Sequence, residues 1–385
     1  VSETDTRFMA LAIALGQRGL GQVWPNPAVG CVIVQGSRVV GRGVTHPGGR
    51  PHAETQALAQ AGTAARGATA YVSLEPCSHH GQTGPCAAAL IEAGVGRCVI
   101  AVQDPDPRVA GRGVAMLRAA GINVTTGVLE DRARHSHAGY LLNRTARRPL
   151  VTLKLATSFD ARIATGAGQS QWITGAQARR VVHLLRASHD AVMVGGGTAR
   201  QDDPSLTVRD LGVAHQPVRV VVSRKLDVPE RGVLARTAAS PPVWLCHGRE
   251  ASESARTAWA ARGARLLHCA TQSGQLEITS VLGVLAEAGL TRVFCEGGSQ
   301  LAASLIQADV VDQLISFTAG FAIGAEGLPA IGALGLSRLE HAARFELCET
   351  RAVGADLMHC WRRKTRDTHL AGASPARPSH RSKPV

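Results

Sequence analysis

The stretch His52-Ala53-Glu54, followed by 74-LEPCSHHGQTGPC-86, decides how this 385-residue chain is read. Within it, His52 can supply an imidazole and Cys77 and Cys86 two thiolates. A set of three protein ligands leaves a fourth zinc position open, which is the ligand count of a catalytic site; a structural site closes with four. Glu54 follows His52 closely enough for its carboxylate to act on whatever fills that position. Residues 53–61, AETQALAQA, predict a helix with His52 and Glu54 at its N-terminal end. Cys77 follows the strand-like run 69–74, and Pro85 precedes Cys86 at the start of a second helical run, 86–93. Two helix starts would aim their positive ends at the ligands and favour thiolate over thiol. The competing reading is that these cysteines are buried apolar filler.

Composition narrows the function classes. Hydrophobic content of 45% is that of a globular protein, and no apolar run approaches the length that spans a bilayer. The opening VSETDTRF is polar and acidic, unlike a signal peptide. Nine cysteines scattered over a long chain lack the density of a secreted disulfide scaffold, so a reducing cytoplasm is expected. The net charge of +13 raises nucleic acid as a partner. However, residues 361–385 carry seven basic side chains against one acidic, and aromatic content is only 3%, leaving few stacking platforms. Phosphate-bearing small molecules suit the mildly basic body, and neither nucleic acid nor a membrane is expected as a partner.

Along the chain, residues 5–16 predict a helix and 28–34 and 38–44 a strand pair. Then come helix 53–61, strand 69–74, helix 86–93, strand 97–102, helix 112–120 and strand 122–125, an α/β sandwich with a partly parallel sheet. A linker is expected near 144–149, where three Arg and a Pro interrupt the apolar pattern. Beyond it, strands at 150–156, 190–194, 218–223, 242–246 and 292–295 alternate with helices at 176–187, 250–262, 278–288 and 300–307. Strands at 312–318, 344–350 and 355–361 close the region. Two glycine clusters end strands here, Gly195-Gly196-Gly197-Thr198 and Gly297-Gly298-Ser299. Strand–glycine–helix units fit a parallel sheet that binds a nucleotide at strand C-termini. Neither cluster is a GxGxxG fingerprint, and each taken alone is as well explained by a tight turn. The expected division is 1–147, 148–364 and a basic, disordered tail at 365–385.

The His-x-Glu and Pro-Cys halves resemble the zinc-dependent deaminase signature, in which the metal activates water and the Glu shuttles protons. With the longer loop Leu74–Cys86, the upstream Pro25-Asn26-Pro27-Ala28-Val29-Gly30 and the downstream Asp104-Pro105-Asp106-Pro107 and Gly111-Arg112-Gly113, the chain resembles the bifunctional riboflavin-biosynthesis deaminase–reductases. Lys154-Leu155-Ala156, Ser158-Phe159-Asp160, Ser170-Gln171-Trp172-Ile173-Thr174, Arg186-Ala187, Asp202 to Arg209 and Glu296-Gly297-Gly298 resemble the reductase half of the same family. The resemblance runs from about Phe8 to about Arg362. It implies an N-terminal cytidine-deaminase-like α/β sandwich holding one zinc and a C-terminal dihydrofolate-reductase-like α/β domain using NADPH, in a cytoplasmic homo-oligomer, dimer or tetramer.

The resemblance also implies roles. His52, Cys77 and Cys86 would hold zinc and Glu54 would be catalytic. Ala156, Trp172, Thr198, Asp202, Gly298, Ser299, Gln300 and Leu301 would touch the cofactor. Asn26, Asp104, Ser170, Arg186, Leu206, Arg209 and Glu296 would touch substrate. Arg186 and Arg209 suit a ribose phosphate, which a planar guanidinium grips through paired N–H bonds. The implied substrates are phosphoribosylamino-pyrimidines, deaminated first and then reduced from ribosyl to ribityl. Several positions depart from the family pattern. Gln82 stands where a basic residue is usual, Asp106 where Asn is usual, Ala161 where Gly is usual and Arg224 where Ser is expected; His46 lies one residue from the family's substrate-binding His. Two further readings are a nucleic-acid-editing deaminase and a structural zinc module whose fourth ligand is His79 or His80.

Overall fold

The computed structural model describes residues 2–79 and 84–364; His80, Gln82 and the expected tail lie outside the described residues. The first helix, α1 (Glu3–Gln17), starts at a reciprocal cap: Asp5 N donates to Ser2 Oγ at 3.1 Å and Ser2 N to the Asp5 carboxylate. Strands β1 (Gly30–Gln35) and β2 (Arg38–Val44) pair antiparallel. Then follow α2 (Ala53–Ala61), β3 (Thr69–Val72), α3 (Cys86–Glu92), β4 (Arg97–Ile100), α4 (Arg112–Ala119), β5 (Asn123–Thr126) and α5 (Glu130–Ala146). The sheet order is β2-β1-β3-β4-β5, with β3, β4 and β5 parallel.

Glycines set the helix layers on this sheet. A Cβ at Gly30 would lie 1.9 Å from Ala12 O of α1, and one at Gly43 would lie 1.9 Å from Ala53 O of α2. Gly43 sits opposite Cys31, the neighbour of Gly30, so the alternation of side chains puts α1 and α2 on opposite faces. The close approach of α2 to β2 fixes where the helix start carrying His52 and Glu54 stands.

Helix α5 runs through a segment where the sequence predicts no element after 125 and a linker from 144. Its buried face is Ala133, Ser136, His137, Gly139 and Tyr140, a stripe at helical spacing made of small and polar residues. Hydrophobic periodicity cannot register a stripe with one large apolar member. Gly139 and Asn143 make the contact with the second domain: a Cβ at Gly139 would lie 2.6 Å from Thr291 O, and Asn143 Nδ2 donates to Leu290 O at 3.0 Å, while Ala133 and Tyr140 join the first domain's core and His137 Nε2 lies 3.1 Å from Ser73 Oγ.

The second domain contains β6 (Leu150–Ser158), β7 (Arg162–Ala164), α6 (Ala176–Ala187), β8 (Ala191–Gly195), α7 (Gly196–Asp202), β9 (Val218–Val222), α8 (Val233–Arg236) and β10 (Val243–His247). It continues through α9 (Glu253–Ala261), β11 (Arg265–His268), the small hairpin β12 (Thr271–Gln272) and β13 (Gln275–Leu276), α10 (Ile278–Glu287) and β14 (Arg292–Cys295). It ends with α11 (Ser299–Gln307), β15 (Gln313–Ala319), β16 (Leu328–Pro329), β17 (Phe345–Val353) and β18 (Asp356–Arg363). Nine strands run in the order β11-β10-β9-β8-β14-β6-β15-β18-β17, parallel from β11 to β15 and antiparallel through the last pair. Alternate residues feed two cores: Val151, Leu153, Met193 and Val293 face one side, and Val192, Val194, Val221 and Phe294 the other. The glycine cluster read as a turn after β8 is the first turn of α7, so its N–H groups line the C-terminal edge of the sheet.

Candidate functional site

In the first domain, His52 is the N-cap of α2 and Cys86 the first residue of α3, with Pro85 as its cap. Cys77 lies in the loop after β3. The ligating atoms of His52, Cys77 and Cys86 all lie within 4.8 Å of one another. His52 Nδ1 is 3.3 Å from Cys86 Sγ and 3.7 Å from Cys77 Sγ, and Cys86 N donates to Cys77 Sγ at 3.3 Å. Among the described residues this is the one group of metal-binding geometry, and neither His79 nor another carboxylate joins it. Hydrogen bonding from the Cys86 thiol, with His52 and the Cys86 N–H, lowers Cys77 to about 4, while the Cys86 thiol is raised by its bond to Cys77. His52 is raised by its bond to Cys77. Two sulfurs and one imidazole nitrogen fit zinc in number and softness.

Glu54, in the first turn of α2, is buried, and its Oε2 has no hydrogen-bond partner. Burial pushes the carboxyl up to about 7, with the Cys77 thiolate adding to the rise. A buried carboxyl oxygen without a partner beside a three-residue cluster has the setting that a proton carrier needs.

The surrounding loops are held by a residue given no role from the sequence. Glu75 is buried and accepts from Asp104 N (3.3 Å), Gly111 N (3.0 Å) and Val114 N (3.1 Å). It ties Pro76-Cys77 to the start of α4, where Gly113 is needed because a Cβ would lie 2.1 Å from Pro76 O. A buried acid directly before Pro-Cys was the available signal. Asp104 is buried too; its carboxylate accepts from Tyr140 Oη at 3.1 Å and from Asp106 N at 2.9 Å, and burial raises it to about 6. Asp106, at the position of the usual Asn, accepts three bonds from Arg108. Asn26 abuts the loop that runs into His52: a Cβ at Gly49 would lie 1.9 Å from Asn26 Nδ2. His46 is exposed, with its N–H bonded to Pro51 O.

In the second domain, a cleft of 1470 Å³ lies over the C-terminal ends of the central strands. The structure brings Ala156, Trp172, Thr198, Asp202, Gly298, Ser299, Gln300 and Leu301 to its walls, together with Ser170, Arg186, Leu206, Arg209 and Glu296. Gly297 and Gly298 have φ of 106° and 84°, which side-chain-bearing residues rarely adopt. A Cβ at Gly197 or Gly297 would meet no protein atom within 4 Å, so bare backbone faces open space. That cradle, with the starts of α7 and α11, fits a dinucleotide. Ser170 Oγ donates to Asp202 Oδ1 at 3.5 Å, joining the expected substrate and cofactor groups.

The expected phosphate grip of Arg186 is not what its guanidinium does here. Its Nε and Nη2 donate to the two Glu296 oxygens, and its Nη1 donates to Thr207 O at 2.7 Å. Arg209 is exposed, and its backbone N donates to His183 Nδ1 at 3.2 Å. Lys154, quoted in the sequence but given no role, lies 3.9 Å from Glu296 Oε2 on the cleft floor. Burial lowers its amine below the ordinary lysine range. Burial alone would raise Glu296, but Arg186 and Lys154 together bring it below the usual carboxylate value. Ala161, where Gly is usual, keeps a left-handed φ of 62°.

Two family models divide the chain: the cytidine and deoxycytidylate deaminase zinc-binding region matches residues 2–102, and the RibD C-terminal domain matches residues 149–359. The riboflavin biosynthesis protein RibD of Escherichia coli is 40% identical over 379 residues, covering 96% of this chain and all of the relative. That of Aquifex aeolicus is 37% identical over 94% of this chain and 99% of the relative. The solved Acinetobacter baumannii RibD superposes with a TM-score of 0.85 at 36% identity, covering 94% of this chain and 99% of that one. The Thermotoga maritima diaminohydroxyphosphoribosylaminopyrimidine deaminase/5-amino-6-(5-phosphoribosylamino)uracil reductase superposes at 0.81 with 32% identity and the same coverage. With a three-ligand cluster in one domain, a glycine-walled cleft in the other and relatives that match from end to end, the chain belongs to the RibD family of riboflavin-biosynthesis deaminase–reductases.

Proposed function

We propose that the chain hydrolytically deaminates 2,5-diamino-6-hydroxy-4-(5-phosphoribosylamino)pyrimidine and then reduces the ribosyl group of 5-amino-6-(5-phosphoribosylamino)uracil to ribityl with NADPH. The observation that carries the reading is the pairing, in one chain, of the His52–Cys77–Cys86 cluster beside unpartnered Glu54 with the glycine-walled cleft. His52, Cys77 and Cys86 would hold zinc, which would supply a water acidified toward neutrality. Glu54 carries one proton of that water to the ring nitrogen and then the second to the amine, which leaves as ammonia. Asn26 and the Asp104 loop, braced by Glu75 and Tyr140, shape the pyrimidine side of that site.

Gly298, Ser299, Gln300 and Leu301 at the start of α11, with the start of α7, would hold NADPH, which would supply a hydride. Ala156, Trp172, Thr198 and Asp202 position it. Ser170, Leu206 and Arg209 border the substrate, and Arg209 is the guanidinium open to its phosphate. Glu296 orients Arg186 and Lys154, and Lys154 holds the proton that reduction of a sugar carbon requires. The working division is 1–147 for deamination and 148–364 for reduction. A cytoplasmic location is supported by cysteines that are all free, and no helix among the described residues is long and apolar enough to cross a membrane. A homo-oligomer, dimer or tetramer, is supported by β17, an exposed edge strand carrying Leu347.

The test is incubation with the phosphoribosylamino-pyrimidine, with and without NADPH, followed by mass analysis. The amino-to-oxo change is expected in both cases and the added hydrogens only with NADPH. An unchanged substrate in both would end the assignment.

A further inference from the structure

The segment between α1 and β1, residues 18–29, carries Asn26 but contains neither helix nor strand. A side chain that borders substrate has to be held by something, and much of what holds this one belongs to the second domain. Gly21 rests on the end of α6: a Cβ there would lie 2.6 Å from Ala187 O and 3.0 Å from His189 N. Trp24 packs on the second domain's core and meets Trp244 of β10 edge to face, with ring centroids 6.0 Å apart and planes at 88°. Pro25 and Trp24 close over Gly289, which follows α10: a Cβ there would lie 3.3 Å from Pro25 Cβ and 3.5 Å from Trp24 Cε3. The seat is itself braced, because the Arg265 guanidinium stacks on the Trp244 ring with its carbon 4.6 Å from the centroid.

From this anchor the chain turns directly into the first domain's site. Asn26 N donates to Val23 O at 3.0 Å, closing a turn around Trp24 and Pro25. On the far side of that turn the segment grips the loop just ahead of His52: Gly48 N donates to Gln22 O at 2.9 Å, and Asn26 Nδ2 occupies the space that a side chain at Gly49 would take. Trp24, Asn26 and the turn Pro47–Gly49 therefore form one contiguous unit, with its aromatic end in one domain and its amide end in the other. A polar group that recognises a ring must be held to within about 0.5 Å and 10–20°. An edge-to-face aromatic pair has a preferred geometry and can impose that precision on a segment with no ladder or helix of its own.

We propose that Trp24, seated on Trp244 of the second domain, is a positioning residue for deamination: it aims Asn26 at the pyrimidine, so the first domain's site takes part of its substrate grip from the second domain. This rests on reading the first domain as a deaminase whose substrate Asn26 borders. The test is the KM and kcat of deamination of the phosphoribosylamino-pyrimidine by the full chain, in the wild type, Trp24→Ala, Trp24→Phe, Trp244→Phe, Asn26→Ala and the double variant Trp24→Ala/Asn26→Ala. Zinc content and NADPH-dependent reduction are measured on the same preparations. Trp24→Ala should raise KM roughly tenfold with kcat nearly unchanged, since a misplaced binding group weakens ground state and transition state alike. A variant that had merely lost folded protein would lower kcat and leave KM alone. Trp24→Phe, which keeps an aromatic edge, should restore most of the affinity. Trp244→Phe should move the same KM in smaller measure, although it lies in the other domain. The double variant should be no worse than Asn26→Ala, because both substitutions remove one contact. Zinc and reduction should stay at wild-type levels in Trp24→Ala. An unchanged KM in that variant, a loss confined to kcat or to zinc content, or additive effects in the double variant would each overturn the proposal. A wild type that leaves the pyrimidine unchanged would overturn the deaminase reading itself.

Discussion

The two domains of this chain hold their sites in different materials. In the first, three ligating side chains lie within 4.8 Å of one another, with a buried carboxyl beside them. In the second, a cleft of 1470 Å³ is walled by two glycine turns, two helix starts and the ends of parallel strands, together with the side chains around them. Side chains concentrate chemistry at a point, so one substitution can remove it. Backbone spreads recognition over many N–H groups and conformations, so single substitutions act by bending the frame or by unbalancing the few buried charges it holds.

That contrast can be broken by four variants, taken from the largest expected effect downward. Cys77→Ser should empty the metal site: zinc content measured by elemental analysis should fall from about one per chain to near none, with deamination lost and NADPH-dependent reduction of the deaminated substrate kept. Loss of both activities together would mean that the sites are not separable. Glu54→Gln should leave zinc bound yet slow deamination by about 10²- to 10⁴-fold, the usual worth of a positioned proton carrier; a variant with near wild-type turnover would remove Glu54 from the chemistry.

In the second domain, Glu296→Gln should strand Arg186 and Lys154, which share its carboxylate in a largely buried setting. Breaking one partner of a buried pair costs about 3–5 kcal/mol. Reduction should therefore collapse and the urea midpoint fall, while zinc and deamination persist. A variant as stable as the wild type would show that the three groups do not act as a unit. Ala161→Gly tests the backbone side of the contrast. Ala161 bears a left-handed φ of 62° between Ser158, whose Oγ accepts from Arg162 N at 3.1 Å, and Ala330, whose N–H donates to Ala161 O. Relieving the Cβ strain should raise stability by roughly 0.5–1 kcal/mol after the entropy that glycine adds to the unfolded chain. Lower stability in the glycine variant would show that this turn carries no strain.

The same contrast separates what was legible from what was not. His52, Glu54, Cys77 and Cys86 announce themselves because metal chemistry demands particular residue types at particular spacings, and the structure brings the three ligating atoms together. The helices Ala53–Ala61 and Ala176–Ala187 begin and end where the sequence puts them, since amphipathic spacing and capping are local properties. Helix α5 escaped because its buried face, Ala133, Ser136, His137, Gly139 and Tyr140, is mostly small or polar and leaves little hydrophobic signal. The opening turn of α7 escaped because three glycines read locally as a loop.

Arg186 shows the limit most directly. Its residue type suits a phosphate, and sequence can say no more than that. Only the register of β14 against β8, which carries Glu296 to the cleft beside Arg186, shows that the guanidinium also holds a carboxylate. Glu75 and Lys154 are the same case: a buried acid and a buried amine take their meaning from partners far away in the chain. By itself, then, the sequence determined the candidate metal cluster and the acid beside it, the alternation of strands and helices and the family, because each is written in residue identity and short spacing. The tertiary structure alone decided which charges are already paired, which backbone faces the cleft and how the domains abut, because those depend on desolvation and on contacts between residues more than a hundred positions apart.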